Sequence, residues 1–256
     1  MVKEIFNRHG FLFSELVKRD FKKKYKRTYL GVLWSLFSPL LSLLVMRIAF
    51  THFFGREIEH YTTYLFCGNI IFSFFSEATG SGMTSLISNA DIFTKIKLPK
   101  YLFLLSKSIS SLINFLITFL AFLIFTAIDG VRFTPYFLLL IIPMLCLAVF
   151  NLGLGLILSA LYVFFRDLQY LWGVFTTLVM YLSAIFYNVA DYPEHIRSLF
   201  LLNPVYVYID YFRIAVLEAR APSLTVNLLA LGYALIALLI GSLIYRKNSN
   251  KFLYYV

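Results

Sequence analysis

Long stretches of this chain carry no charge. Residues 108–128, 133–165, 168–190 and 221–245 contain no Asp, Glu, Lys or Arg, and a bilayer core of about 30 Å is crossed by about 20 apolar residues of helix. Two further stretches carry one charge each, Arg47 within 32–54 and Glu77 within 61–82. The pattern predicts an all-α integral membrane protein. Its six spans are expected at about 32–54, 61–82, 105–128, 135–162, 170–190 and 224–245. The fourth interval has no room for two spans and a turn, so Pro143 inside it reads as a tolerated kink.

The segments outside the spans have patterns of their own. Phe13, Val17, Phe21 and Tyr25 recur every four residues among Lys18, Lys22, Lys23 and Lys26. That stripe predicts an amphipathic helix within 1–31, lying in the membrane interface. The long charged stretch before the first apolar run argues against a signal peptide. Residues 191–220 hold Pro193 and Pro204, with apolar runs at 196–202 and 205–209 that are too short to cross. They suit short re-entrant helices between spans five and six, or a folded loop outside the membrane. No internal repeat or inverted symmetry is visible.

Composition supports the membrane reading. The 256 residues are 60% hydrophobic and 14% charged, with 28 Phe and 18 Tyr; soluble domains carry roughly 25% charged residues. A soluble enzyme and a disordered chain are both excluded as defaults. The net charge of +10 is unevenly placed: 17 of the 23 Lys and Arg fall on the side that holds both termini, and five on the other. Positive charge marks the cytoplasmic side, so both termini, including the tail 246–256, are expected inside. The basic balance is thus a topological bias with some attraction to anionic lipid, and nucleic acid is not an expected partner. Cys67 and Cys146 lie in apolar runs, which leaves no disulfide framework or cysteine metal site.

Chemistry for catalysis is sparse. Glu57/Glu59/His60 and Asp191/Glu194/His195 are the nearest clusters, and neither has helix-spaced ligands; they read as solvated loop residues. His9 and His52 stand alone, and no metal site is expected. No glycine precedes a lysine, so a phosphate-binding loop of the G-x-x-x-x-G-K type is absent from the sequence. Gly153 and Gly155 sit inside the fourth span, where small residues permit close helix packing. Arg47 and Glu77 lie near helix ends, can snorkel, and form no proton chain.

Four patches remain. The first runs Lys22-Lys23-Lys24-Tyr25-Lys26-Arg27-Thr28-Tyr29-Leu30-Gly31-Val32-Leu33-Trp34 and on to Ser38-Pro39-Leu40, a cationic helix turning at Gly31 into a span opened by Trp34. The second is Asn89-Ala90-Asp91-Ile92-Phe93-Thr94-Lys95-Ile96-Lys97-Leu98-Pro99, and the third is Phe164-Phe165-Arg166-Asp167-Leu168. Leu202-Asn203-Pro204-Val205 lies on the opposite side. In order and compartment this set resembles the membrane subunit of polysaccharide-exporting ABC transporters of the type-2 permease family. It is closest to the O-antigen exporter permeases, with capsule and teichoic-acid exporter permeases close behind. The resemblance runs from about Lys18 to Tyr245.

The resemblance implies a permease domain over 32–245 that is not itself an enzyme. It implies a separate nucleotide-binding ATPase subunit that holds ATP and Mg, and a second copy of this chain in a two-plus-two complex. No cofactor is expected in this chain. The cargo implied is a polysaccharide linked through pyrophosphate to a polyprenyl lipid, exported across the bacterial inner membrane. ATPase docking would fall to Asn89, Ile92, Lys95, Lys97, Pro99, Phe165, Arg166 and Asp167. Lys22, Lys23, Lys26 and Arg27 would attract the substrate phosphates. Trp34, Phe72, Phe75, Trp172, Tyr181, Phe186 and Tyr187 are candidates for a sugar path, because aromatic faces pack on sugar C–H surfaces. Asn203 and Pro204 would belong to an exit gate. Rival readings are a type-2 permease for another lipid or drug, a polyprenyl-sugar transferase, and a membrane scaffold.

Overall fold

The computed structural model describes residues 2–26, 28–54, 58–94 and 98–255. Arg27, Arg56, Glu57, Lys95 and Lys97 lie outside the described residues, as do the side chains of His9 and His52. Every regular element among the described residues is helical: α1 (Val2–Tyr25), α2 (Trp34–Phe54), α3 (Tyr61–Met83), α4 (Ala90–Phe93), α5 (Tyr101–Ile128), α6 (Ile141–Phe164), α7 (Leu168–Leu182), α8 (Glu194–Phe200), α9 (Pro204–Val216), α10 (Leu224–Asn248) and α11 (Phe252–Tyr255). A 3₁₀ turn, Pro135–Leu140, leads into α6.

Among the described residues, three helical runs are long and apolar enough to cross a membrane by themselves: Tyr101–Ile128, Pro135–Phe164 and Leu224–Asn248. The α8–α9 pair, bent by 107°, makes a fourth if counted as one span. Shorter apolar helices occupy Trp34–Phe50 and Leu168–Leu182. The fifth sequence interval, expected to 190, therefore stops as a helix at Leu182. At Ala184 the backbone turns left-handed, with φ of 49°. Residues 183–190 are nearly as apolar as the helix before them, so hydropathy alone carries the span too far.

Local chemistry sets several boundaries. Gly31 has φ of +52° just before α2, the turn expected at that residue. Gly130, at φ of +83°, follows α5; its N–H bonds to the Ala127 carbonyl while the Val131 N–H reaches Thr126. That double closure satisfies the last carbonyls of the helix. Asn203 caps α9 by accepting from the Val205 N–H at 3.0 Å, with Pro204 in the first turn, where its missing N–H costs nothing. The Asn-Pro pair is a helix start.

α3 and α6 are the central helices, flanked by α5, α9 and α10. Phe66 packs edge-on to Phe122, and Phe75 lies against Phe150. α6 and α10 form the most extensive helix pair. There Gly153 meets the backbone of Ala237 and Leu238, and Gly241 meets the Gly153 carbonyl. Gly155, on the other side of α6, faces Gly82 of α3 and Leu104 of α5. The close packing expected of the two glycines thus serves two different seams.

Candidate functional site

Functional candidates gather at the two ends of the bundle. At the basic end, α1 packs along α5 through Leu16 and Asp20, spaced one helical turn apart. The Asp20 side chain is only 1% exposed. It accepts from Arg19 Nη2 and Ser106 Oγ, each at 2.8 Å, with Lys107 Nζ at 3.6 Å. An acid this deeply buried is held only by such partners. The face of α1 turned into the protein is thus centred on Leu16 and Asp20. Phe13, Val17 and Phe21 of the expected stripe are half-buried.

The segment between α3 and α5 is tied to this cluster. Arg19 Nη2 also donates to Asn89 Oδ1 at 2.6 Å, and Asn89 Nδ2 donates to the Ser85 carbonyl at 2.8 Å. Asn89 is buried, so it positions the segment from inside, while Ile92 and Leu98 pack on the same apolar cluster as Leu16. Pro99 is half-buried. The sequence holds no sign of the Arg19–Asn89 link, whose partners lie 70 residues apart.

Phe165, Arg166 and Asp167 form an exposed corner between α6 and α7. Phe165 is 67% exposed, and the Arg166 guanidinium lies over the Tyr162 ring, 5.6 Å from its centroid. Among the described residues Arg166 makes no ion pair with Asp167. An apolar ring beside an available cation is a surface suited to a partner. Beneath it the tail turns back: Phe252 is buried beside Tyr245 and Phe164, and Lys100 Nζ donates to the Ser249 carbonyl at 2.6 Å. Partial burial pushes the Lys100 ammonium below its ordinary range.

Of the basic residues at the end of α1, Lys22, Lys23 and Lys26 are exposed. Lys24 instead donates to Glu77 Oε2 of α3 at 2.8 Å, and Asn114 of α5 donates to the same oxygen at 2.8 Å. The single charge of the second span is thus shared among three helices. Its lysine partner is 53 residues away, and no local pattern announces the pair.

At the opposite end α9 is inserted into the fold. Arg213 is buried; it donates from Nη1 to Ala184 O at 2.9 Å and from Nη2 to Ile185 O at 3.0 Å, with its guanidinium against the Tyr64 ring. Tyr61 and Tyr64 hold the same linker by donating to the Phe186 and Tyr187 carbonyls at 2.9 and 2.6 Å. Asn203 donates to Ser183 Oγ at 2.9 Å. The charge pattern alone counts Arg213 among the outer-side cations. The available signal is its place as the one cation in α9, three residues after Asp210 in a helix otherwise without charge. Asp191, Glu194 and His195 are exposed, and among the described residues no group of three His, Cys, Asp or Glu could hold a metal ion.

The aromatic candidates divide. Trp34 and Tyr181 are exposed, and Phe72, Trp172 and Tyr187 are half-buried. Phe75 and Phe186, 2% and 5% exposed, are core residues of this chain and present no open face to a path.

Among the described residues the helices form an apolar bundle with a basic end and a bent pair, and three runs are long and apolar enough to cross a membrane. Residues 12–217 match the ABC-2 type transporter family, and the chain belongs to it. An O-antigen export system permease protein of Myxococcus xanthus is 28% identical over 254 residues, covering 98% of this chain and 97% of the relative. One from Klebsiella pneumoniae is 30% identical over 202 residues, 77% of each chain. A polysialic acid transport protein of Escherichia coli is 21% identical over 99% of each.

Proposed function

We propose that this chain is the membrane half of an exporter that carries a lipid-linked polysaccharide out across the bacterial inner membrane. The observation that carries the reading is the near end-to-end similarity to an O-antigen export permease. In this reading α2, α3, α5, α6, α7 and α10 are six crossings, with both termini cytoplasmic and α8–α9 re-entrant from outside. The asymmetry of Lys and Arg supports that orientation.

ATP and Mg belong to a separate nucleotide-binding subunit. Its closure is received by the exposed 165–167 corner and by the 89–99 segment, which the Arg19–Asn89 bond couples to α1. A second copy of the chain completes the conduit, and the apolar face of α7, where Leu171, Val174 and Leu178 are exposed, supports that assembly. Deleting the gene in the host tests the cargo. Lipid-linked glycan should accumulate on the cytoplasmic face and disappear from the cell surface. Undiminished surface glycan would contradict the reading.

A further inference from the structure

Two cavities adjoin at the Lys24–Glu77 pair. The larger, about 450 Å³, lies between α2, α3 and α5. Hydroxyls from Ser35, Ser38, Ser42, Ser73 and Thr118 line it together with the Asn114 amide, and Trp34, Phe74 and Phe115 form apolar walls. The smaller, about 280 Å³, is lined by Asp20, Lys23, Lys107 and Ser110. Lys24, Glu77 and Ser111 border both, so the two are chambers with a common wall.

We propose that these chambers are one binding site for a glycosyl phosphate, the sugar ring in the larger and the phosphate in the smaller. The volume of the larger chamber falls within the range of about 300–1,000 Å³ typical of small-molecule sites. Hydroxyls and a primary amide both donate and accept hydrogen bonds, as the hydroxyls of a sugar require. Aromatic walls cover the C–H faces of the ring. Lys24 and Glu77, the charged residues lining the larger chamber among the described residues, are matched to each other at 2.8 Å. That chamber therefore has no surplus cation to draw a bare anion.

The smaller chamber differs. Arg19 and Ser106 hydrogen-bond Asp20 at 2.8 Å each, Lys107 pairs with it only at 3.6 Å, beyond hydrogen-bond length, and Lys23 is exposed. Two ammonium groups are thus placed to donate to phosphate oxygens. The site lies within one copy of the chain, enclosed by α1, α2, α3 and α5. It rests on the reading of the cargo as a lipid-linked glycan, and identifies where one copy holds the head of that cargo.

Trp34 reports on the larger chamber. With Trp172→Phe, the other of the two tryptophans of this chain is removed, and the purified permease can be titrated by Trp34 emission. The probes are the host glycan released with its pyrophosphate, the same glycan without phosphate, and inorganic pyrophosphate. The phosphorylated glycan should give a saturable response at least tenfold tighter than either other probe. Asn114→Leu should weaken it at least tenfold, and so should Ser38→Phe, which fills the chamber from an exposed position. Lys107→Gln should bring the phosphorylated and dephosphorylated glycans toward equal affinity.

No response to the glycan, an equal response to pyrophosphate alone, or unchanged affinity in both chamber variants would overturn the proposal. Surface glycan in the gene-deleted host decides the export reading separately, so either can fail alone.

Discussion

Arg213 stands with its guanidinium carbon 3.5 Å from the centroid of the Tyr64 ring, joining α9 to α3 inside the apolar core. Cation–π contact is strengthened where water is excluded, and the same guanidinium donates to the Ala184 and Ile185 carbonyls. Gly68 leaves room for this, since a Cβ there would come within 3.3 Å of Arg213 Nη2. Arg213 therefore ties the inserted helix to the α7–α8 linker, which Tyr61 and Tyr64 also hold.

Removing that side chain should loosen the insertion. Arg213→Ala leaves two carbonyls without donors, at about 1–3 kcal/mol for each buried group left unsatisfied. Arg213→Lys keeps the charge but not the fork, and should lose less. Heating the detergent-solubilised chain and following loss of the monodisperse species by size exclusion should give the order wild type, Lys variant, Ala variant. Equal midpoints for all three would show that Arg213 does not secure α9.

The seam between α6 and α10 has little tolerance for bulk. Gly153→Val or Gly241→Val would drive side-chain atoms into the facing backbone, and overpacking costs about 1–3 kcal/mol or more. Gly232, in the same α10, has open space for 4 Å around the place a Cβ would take, so Gly232→Ala should behave as wild type. Thermal midpoints measured side by side separate the seam from general intolerance of α10.

The tail is a structural element. Phe252 is fully buried, and Lys100 lies over its ring, 5.6 Å from the centroid. Phe252→Ala should destabilise the basic end by up to about 3–5 kcal/mol, the range for large-to-small changes in packed cores. Limited proteolysis should then cut after Arg246 or Lys247 faster than in wild type. Unchanged cleavage would place the tail outside the fold.

Sidedness can be read from single cysteines on a Cys67→Ala, Cys146→Ala background. Asn250→Cys and Thr94→Cys should resist an impermeant thiol reagent in intact spheroplasts and react after permeabilisation. Glu194→Cys should react in both. Reaction of residue 250 from outside would reverse the orientation.

Much of the fold is legible in the sequence because apolar length is a strong signal. The interval 61–82 corresponds to Tyr61–Met83, and 105–128 lies within Tyr101–Ile128. The fifth span overruns because Ala184, Ile185, Phe186 and Val189 are apolar as buried linker residues rather than as helix, while the linker carbonyls receive Arg213, Tyr61 and Tyr64. The candidate site is legible only where it is exposed, as at Phe165 and Arg166. Arg19–Asn89 and Lys24–Glu77 join residues far apart in sequence, and such pairs leave no periodic trace. Asp20 looks like one acid diluted in a cationic helix, yet its one-turn spacing from Leu16 puts it on the buried face.

The central claim is that the work of this permease is driven by another polypeptide. Affinity purification of the tagged chain from gently solubilised host membranes tests it most directly, with Arg166→Glu purified in parallel. The wild-type chain should bring down an ATP-hydrolysing subunit in equal amount, and the variant should recover at most about a tenth as much while keeping its own fold. Recovery of no ATPase with the wild-type chain, together with glycan export by the purified chain alone in vesicles, would contradict the account.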